Sequence, residues 1–95
     1  MNAVASEKTA FLLYVAGPSA RTSFAISNIR NICEEYLKDC YDLQVIDIYQ
    51  QPELAEAANI IAAPTLVRKL PPPSRRVVGD LSDRDRVLSV MDVAR

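Results

Sequence analysis

Residues 62–83 read AAPTLVRKLPPPSRRVVGDLSD, and the fold turns on whether this stretch is a linker or part of a sheet. Ala63-Pro64-Thr65 opens a β-rich run, Thr65-Leu66-Val67. Four basic residues, Arg68, Lys69, Arg75 and Arg76, follow within nine positions, split by Pro71, Pro72 and Pro73. Val77-Val78 reads as a short strand and Gly79-Asp80 as a turn. Ser82-Asp83-Arg84-Asp85 reads as a helix start, a cap serine with an acidic residue three positions on. A solvated linker has no use for Leu66, Val67, Leu70, Val77, Val78 and Leu81 in so short a span. The stretch therefore predicts a strand, a proline-stiffened connection, a second strand and a helix cap, with a basic face turned outward.

Working back from it, Ala10 to Val15 (AFLLYV) is continuously apolar, as suits a central strand covered on both faces. Residues 1–9 are polar and are expected to form a flexible end. From about Arg21 the spacing becomes helical. Ile26, Ile29, Cys33, Tyr36, Leu37 and Cys40 fall on one face of a five-turn helix. Leu43 to Tyr49 (LQVIDIY) reads as a second strand. A helix-containing connection of that length fits a right-handed βαβ unit with parallel strands. Pro52 is a good first-turn residue, and Glu53 to Ala58 favour a short helix. After the strands Thr65–Lys69 and Arg75–Val78, a last helix is expected from about Asp83 to Ala94, with Val87, Leu88 and Met91 facing in. The order is β-α-β-α-β-β-α, an α/β fold with a mixed sheet of thioredoxin-like kind.

Ninety-five residues make a single domain, expected to span 1–95. A hydrophobic content of 49% with 24% charged residues is ordinary globular composition. At this size a homo-oligomer, dimer or tetramer, is one route to added stability. The net charge of −1 argues against nucleic acid as a partner. The absence of histidine excludes a histidine metal site or base. No apolar run approaches the ~18 residues of a membrane span, and no signal-peptide pattern opens the chain, so a cytoplasmic location is expected.

A thioredoxin-like order raises the question of a Cys-x-x-Cys pair. That pair works because a helix N-terminus lowers one thiol's pKa and the second thiol resolves the mixed disulfide. In the loop after the first strand stand Ala16-Gly17-Pro18-Ser19, with no sulfur. Cys33 and Cys40, read as lying on one helix about 10 Å apart, are too distant for a disulfide there. They read as reduced structural thiols. No catalytic residue, metal ligand or cofactor site is expected, and Asp80, Ser82 and Asp83 read as helix capping.

Several stretches together resemble the KaiB family of bacterial circadian clock proteins. They are Leu13-Tyr14-Val15-Ala16-Gly17, Val45-Ile46-Asp47 and Pro52-Glu53-Leu54-Ala55-Glu56. Most specific are Ala63-Pro64-Thr65-Leu66, Leu70-Pro71-Pro72-Pro73 and Arg75-Arg76-Val77-Val78-Gly79-Asp80-Leu81-Ser82-Asp83. The resemblance runs from about Phe11 to Asp92. It implies a thioredoxin-like fold with a cis proline at Pro64, and a non-enzymatic regulator that docks on the N-terminal ATPase tier of a KaiC hexamer. Arg68, Lys69, Arg75, Arg76, Asn59 and Glu56 are the partner-binding candidates. The family also has a second, tetrameric ground-state fold that differs in the half beyond about Gln50. That makes Pro64, Pro71, Pro72, Pro73, Val90 and Asp92 the candidates for a fold switch.

Departures from the cyanobacterial pattern shape the expectation. Val90 stands where those relatives carry glycine, which favours helix at the C-terminus. Asn59 stands where a lysine is usual. Asp42 and Gln44 replace an alanine and a lysine on the strand that KaiA-like partners use, which argues against a KaiA partner. A simplified system with KaiC alone, outside the cyanobacteria, is the expectation. The alternative is a related adaptor or sensor module that binds another ATPase or a histidine kinase, since the sensor domain of the clock kinase has a similar fold.

Overall fold

The computed structural model describes residues 8–79 and 81–91. The elements run β1 (Thr9–Val15), α1 (Ala20–Tyr36), β2 (Tyr41–Asp47), α2 (Pro52–Ala57), β3 (Thr65–Leu70), β4 (Arg75–Val78) and α3 (Arg84–Met91). The four strands lie in the order β2-β1-β3-β4. β1 pairs parallel with β2, from Thr9 opposite Tyr41 to Val15 opposite Asp47. β3 is antiparallel to β1 and β4 antiparallel to β3. The expected mixed sheet and element order are both present.

Strand alternation divides the core in two. Phe11, Leu13, Val15, Leu66 and Val77 face α1 and α3 and pack with Ala25, Ile29, Ile32, Cys33, Val87, Leu88, Val90 and Met91. The opposite face carries a smaller cluster, Tyr14, Ile46 and Val67, with Leu12, Ile48, Ala58 and Ile60 against it. The six-residue α2 is too short to cover that face. β1 is central as expected, but its second face is only partly roofed, and Leu12 stays half-buried.

Several boundaries differ from the sequence reading. Thr9, expected in the flexible end, is the first residue of β1, and its N–H donates to the Cys40 carbonyl at 3.0 Å; residues 1–7 lie outside the described ones. α1 begins at Ala20, N-capped by the Ser19 hydroxyl, which accepts from the Thr22 N–H at 3.1 Å. It ends at Tyr36, a turn earlier than the apolar spacing indicates. Asp39 then takes a left-handed φ of 61°, which reverses the chain. Cys40 lies in that turn, exposed, and does not share a helix with the buried Cys33.

β2 lies two residues earlier than expected because Asp47 ends it. The Asp47 carboxylate accepts from the N–H groups of Tyr49 at 2.9 Å and Gly17 at 3.1 Å, an Asx-type turn. At the last helix Asp83 serves as a cap: the Arg86 N–H donates to Asp83 Oδ1 at 3.3 Å. The helix is described as far as Met91, so its expected continuation to Ala94, like Asp80 and Asp92, lies outside the described residues. Arg84 ties α3 to α1. It pairs with Glu35, donates to the Tyr36 hydroxyl at 3.2 Å and lies over the Tyr36 ring.

Candidate functional site

The β3–β4 register decides what the basic residues can do. Leu66 opposes Val77 and Arg68 opposes Arg75, so all four lie on the α1/α3 face. Val67 opposes Arg76 on the α2 face. Ala10 pairs with Leu70 and Phe11 with Arg68, so Lys69 is the extra residue of a bulge. The four cations thus do not form one outward face. Arg68 is 2% exposed, with Nη2 donating to the Pro73 carbonyl at 2.8 Å across the proline loop. Its role is internal. Lys69 and Arg75 are exposed but on opposite faces. Lys69 borders a shallow groove of about 350 Å³, also lined by Leu12, Gln44, Ile46, Leu54 and Ala57.

Arg76 reaches the end of α2. Its guanidinium donates to the carbonyls of Ala58 at 2.9 Å and Asn59 at 3.4 Å. A cation at a helix C-terminus satisfies carbonyls that the helix leaves open and complements its dipole. The same terminus closes in a Schellman motif. Asn59 has φ 57°, its N–H donates to the Glu56 carbonyl at 3.1 Å, and the Ile60 N–H donates to the Ala55 carbonyl at 2.9 Å. Asn59 is therefore a left-handed cap, a role the sequence pattern of an asparagine after an alanine-rich helix could have disclosed. Asn59→Ala should cost about 1 kcal/mol, since a Cβ-bearing residue without a short polar side chain is disfavoured there. Asn59→Gly should be neutral or slightly stabilising. Urea unfolding of the two variants checks the ordering.

This cap sets the direction of the chain that leaves α2. Ile60 turns inward to the smaller core cluster, and Ile61 turns out, 95% exposed. Tyr49, on the approach to α2, is 72% exposed, and Leu54 on the helix itself is also exposed. Among the described residues, three of the six exposed large hydrophobic ones thus fall within 49–61. Glu53 and Glu56 are exposed on the same helix. Exposed apolar side chains close together in the chain make this segment the candidate interaction surface. Sequence reasoning brought Asn59, Glu56 and Arg76 to this surface but missed Tyr49 and Ile61. Ile61 sits in an apolar run, Ile60 to Ala63, whose inward and outward members only the cap distinguishes.

Among the other candidates, Pro64 precedes β3 and its peptide bond is cis, as the resemblance implied. Pro71, Pro72 and Pro73 form the β3–β4 connection, and Val90 is buried in α3. The loop after β1 is filled by other means. Gly17 takes φ 67° and lies so close to Tyr49 that a Cβ there would stand 3.2 Å from the ring. Among the described residues no three His, Cys, Asp or Glu side chains are placed to hold a metal ion. No described helix is long and apolar enough to cross a membrane.

Burial pushes the Cys33 thiol from an ordinary 9.0 up to about 12, with Arg30 opposing the shift and Glu34 adding to it. The unfolded thiol loses its proton near 9 and the folded one near 12. The neutral form is therefore favoured by folding, and that contribution is whole below pH 9 and declines as pH rises towards 12. At pH 8 a thiol reagent should modify Cys40 at once and Cys33 only after denaturation. Rapid modification of both in the native chain would contradict the placement of Cys33.

The comparisons with known proteins agree with this geometry. The KaiB domain family matches residues 12–93. The chain is 51% identical over 81 residues to a circadian clock oscillator protein KaiB of a Synechococcus species, covering 85% of this chain and 74% of that one. Identity is 48% over 91 residues with KaiB of Prochlorococcus marinus, covering 95% and 87%. It is 44% over 81 residues with the circadian clock protein KaiB3 of Synechocystis, covering 85% and 79%. In structure, the N-terminal domain of Synechococcus elongatus SasA is similar at a TM-score of 0.69, with 23% identity over 77% of this chain and 70% of that one. Chloroplastic thioredoxin z is similar at 0.68, with 18% identity over 93% and 82%, which speaks to the fold alone. A family match across nearly the whole chain, on a thioredoxin-like sheet whose redox loop carries no sulfur, makes this chain a member of the KaiB family.

Proposed function

We propose that the chain is a non-enzymatic clock regulator that docks on the N-terminal ATPase ring of a KaiC-like hexamer and modulates its phosphorylation and ATPase cycle. The observation that carries this reading is the surface at 49–61, where Tyr49, Leu54 and Ile61 are held to solvent around a helix whose end is fixed by Asn59 and Arg76. Such a surface gains by covering, and an apolar centre with a polar rim is how specific interfaces are built. Glu56, Asn59 and Arg76 supply the rim. Arg68 acts from inside by holding the proline loop. The setting is cytoplasmic, with no cofactor, and neither KaiA nor nucleic acid belongs to the mechanism.

The same reading assigns the half beyond Gln50 to a fold switch, with Pro64, Pro71, Pro72, Pro73, Val90 and Asp92 inside the segment that changes. Val90 packs in the core as part of α3, and valine is a better helix former than glycine by a few tenths of a kcal/mol. This biases the chain towards the thioredoxin-like state.

Mixing the purified chain with a KaiC hexamer, with and without nucleotide, and measuring mass by size exclusion with light scattering tests the proposal. A complex approaching one chain per ring subunit is expected. No complex with any KaiC in either condition would overturn it in favour of an adaptor for another ATPase or a histidine kinase.

A further inference from the structure

The face of the sheet beside α2 holds polar groups that neither the fold nor the docking surface uses. Leu12 and Tyr14 of β1 stand next to Gln44 and Ile46 of β2, all on this face by the parallel register. Alternation from Val67 brings Lys69, the bulge residue of β3, to the same side. The other wall comes from α2 and its C-cap, through Leu54, Ala57 and Ala58. Two alanines there are too small to fill the space, and the groove of about 350 Å³ remains. That size is at the low end of the roughly 300–1,000 Å³ of small-molecule sites.

Five of the eight lining residues are Leu, Ile or Ala, and the other three set the chemistry. Tyr14 is only 3% exposed, yet its hydroxyl makes no hydrogen bond to any described residue. A phenol hydroxyl both donates and accepts, and burying one without a partner is costly, so nearly all such groups are paired. The groove that Tyr14 borders is where a partner can reach it. Lys69 is exposed at the rim and pairs with no described carboxylate. No Asp or Glu lines the groove, so its single formal charge is positive. Gln44 adds an amide beside Leu12.

We propose that this groove is a binding site for a small aryl carboxylate with a hydroxyl or carbonyl substituent on its ring. The carboxylate meets Lys69, in the charge-assisted contact that the rim offers. The ring lies against the apolar wall of Leu12, Ile46 and Leu54. The ring substituent hydrogen-bonds the Tyr14 hydroxyl and so satisfies it where the chain itself does not. A rigid ring suits an open groove better than an alkyl chain, since it has less internal freedom to lose on binding.

Titration of the isotope-labelled chain with three probes, followed by amide chemical shifts, tests it. The probes are hydrocinnamate, its para-hydroxy derivative, and the neutral amide of that derivative. The para-hydroxy acid should saturate with a Kd on the order of 1 mM, the scale of so small a ligand in an open site, and shift the amides of Leu12, Gln44 and Ala57. Hydrocinnamate should bind about threefold more weakly, and the neutral amide at least fivefold. Lys69→Gln should abolish the preference for the acid over its amide. Tyr14→Phe should abolish the preference for the hydroxylated ring. It should leave thermal unfolding unchanged or slightly higher, because the hydroxyl it removes has no partner in the free chain. No saturation by the para-hydroxy acid up to about 20 mM would overturn the proposal. So would equal binding of the three probes, shifts centred away from the groove, or preferences that survive in the two variants. All of this is read on the free chain, so the outcome does not depend on ring docking.

Discussion

Arg68→Ala lowers the stability of this domain by about 3 kcal/mol or more, the largest effect expected of any single charged residue described here. The guanidinium hydrogen bond to the Pro73 carbonyl closes the β3–β4 connection from inside. A hydrogen bond to a charged group contributes about 1.5–3 kcal/mol, and burial of the side chain's methylenes adds about 0.8 kcal/mol each. For a chain whose whole stability is on the order of 5–14 kcal/mol, this is a large share. It corresponds to a fall in melting temperature of roughly 15 °C. Arg75, directly opposite on β4 but exposed, provides the control. Arg75→Ala should stay within about 0.5 kcal/mol of the parent. Thermal and urea unfolding of the two variants side by side decides it. Equal, small effects would mean that Arg68 is a surface cation after all.

The contrast between Arg68 and Arg75 also shows where sequence reasoning stops. Element order was legible because each segment carries its own period: a solid apolar run in β1, three- and four-residue spacing in α1, Pro52 at a helix start. The strand Arg75–Val78 was placed to the residue. What composition cannot show is which face a residue takes. Alternation puts neighbours such as Arg68 and Lys69, or Arg75 and Arg76, on opposite sides, and a bulge at Lys69 changes the count on one strand only. Four cations close in sequence therefore separate into a buried tie, a helix-end cap and two exposed side chains on different faces.

Boundaries failed for a related reason. Asp47 and Asp83 stop or start an element through turn and cap bonding of their own, and Asp39 through its left-handed backbone, while the apolar pattern runs on across them. The exposed apolar residues proposed for docking were hidden by the same local chemistry. Ile60 and Ile61 are indistinguishable as letters, and only the left-handed Asn59 before them determines that one is core and the next is solvent-facing.

That geometry leads to the largest expected effect on binding. Ile61→Asp should weaken association with the KaiC-like ring by about 100-fold while leaving the fold intact. Covering an isoleucine that is 95% exposed in the free chain gains about 1.5–3 kcal/mol. Placing a carboxylate in the same apolar contact removes that gain and adds a desolvation cost, so a net loss near 3 kcal/mol is a reasonable scale. Each 1.4 kcal/mol is tenfold in affinity, which gives about two orders of magnitude. The free chain has nothing to lose at this position, because Ile61 belongs to neither core cluster. Its melting temperature should be that of the parent. Tyr49→Ala removes an aromatic that also lies against Gly17, so it should weaken binding with some loss of stability. Glu53→Ala, on the first turn of α2, should do neither to a comparable degree. Titration of labelled variants against the hexamer reads all three. Undiminished binding by Ile61→Asp, with the parent binding normally, would move the docking surface away from 49–61 while leaving ring association itself in place.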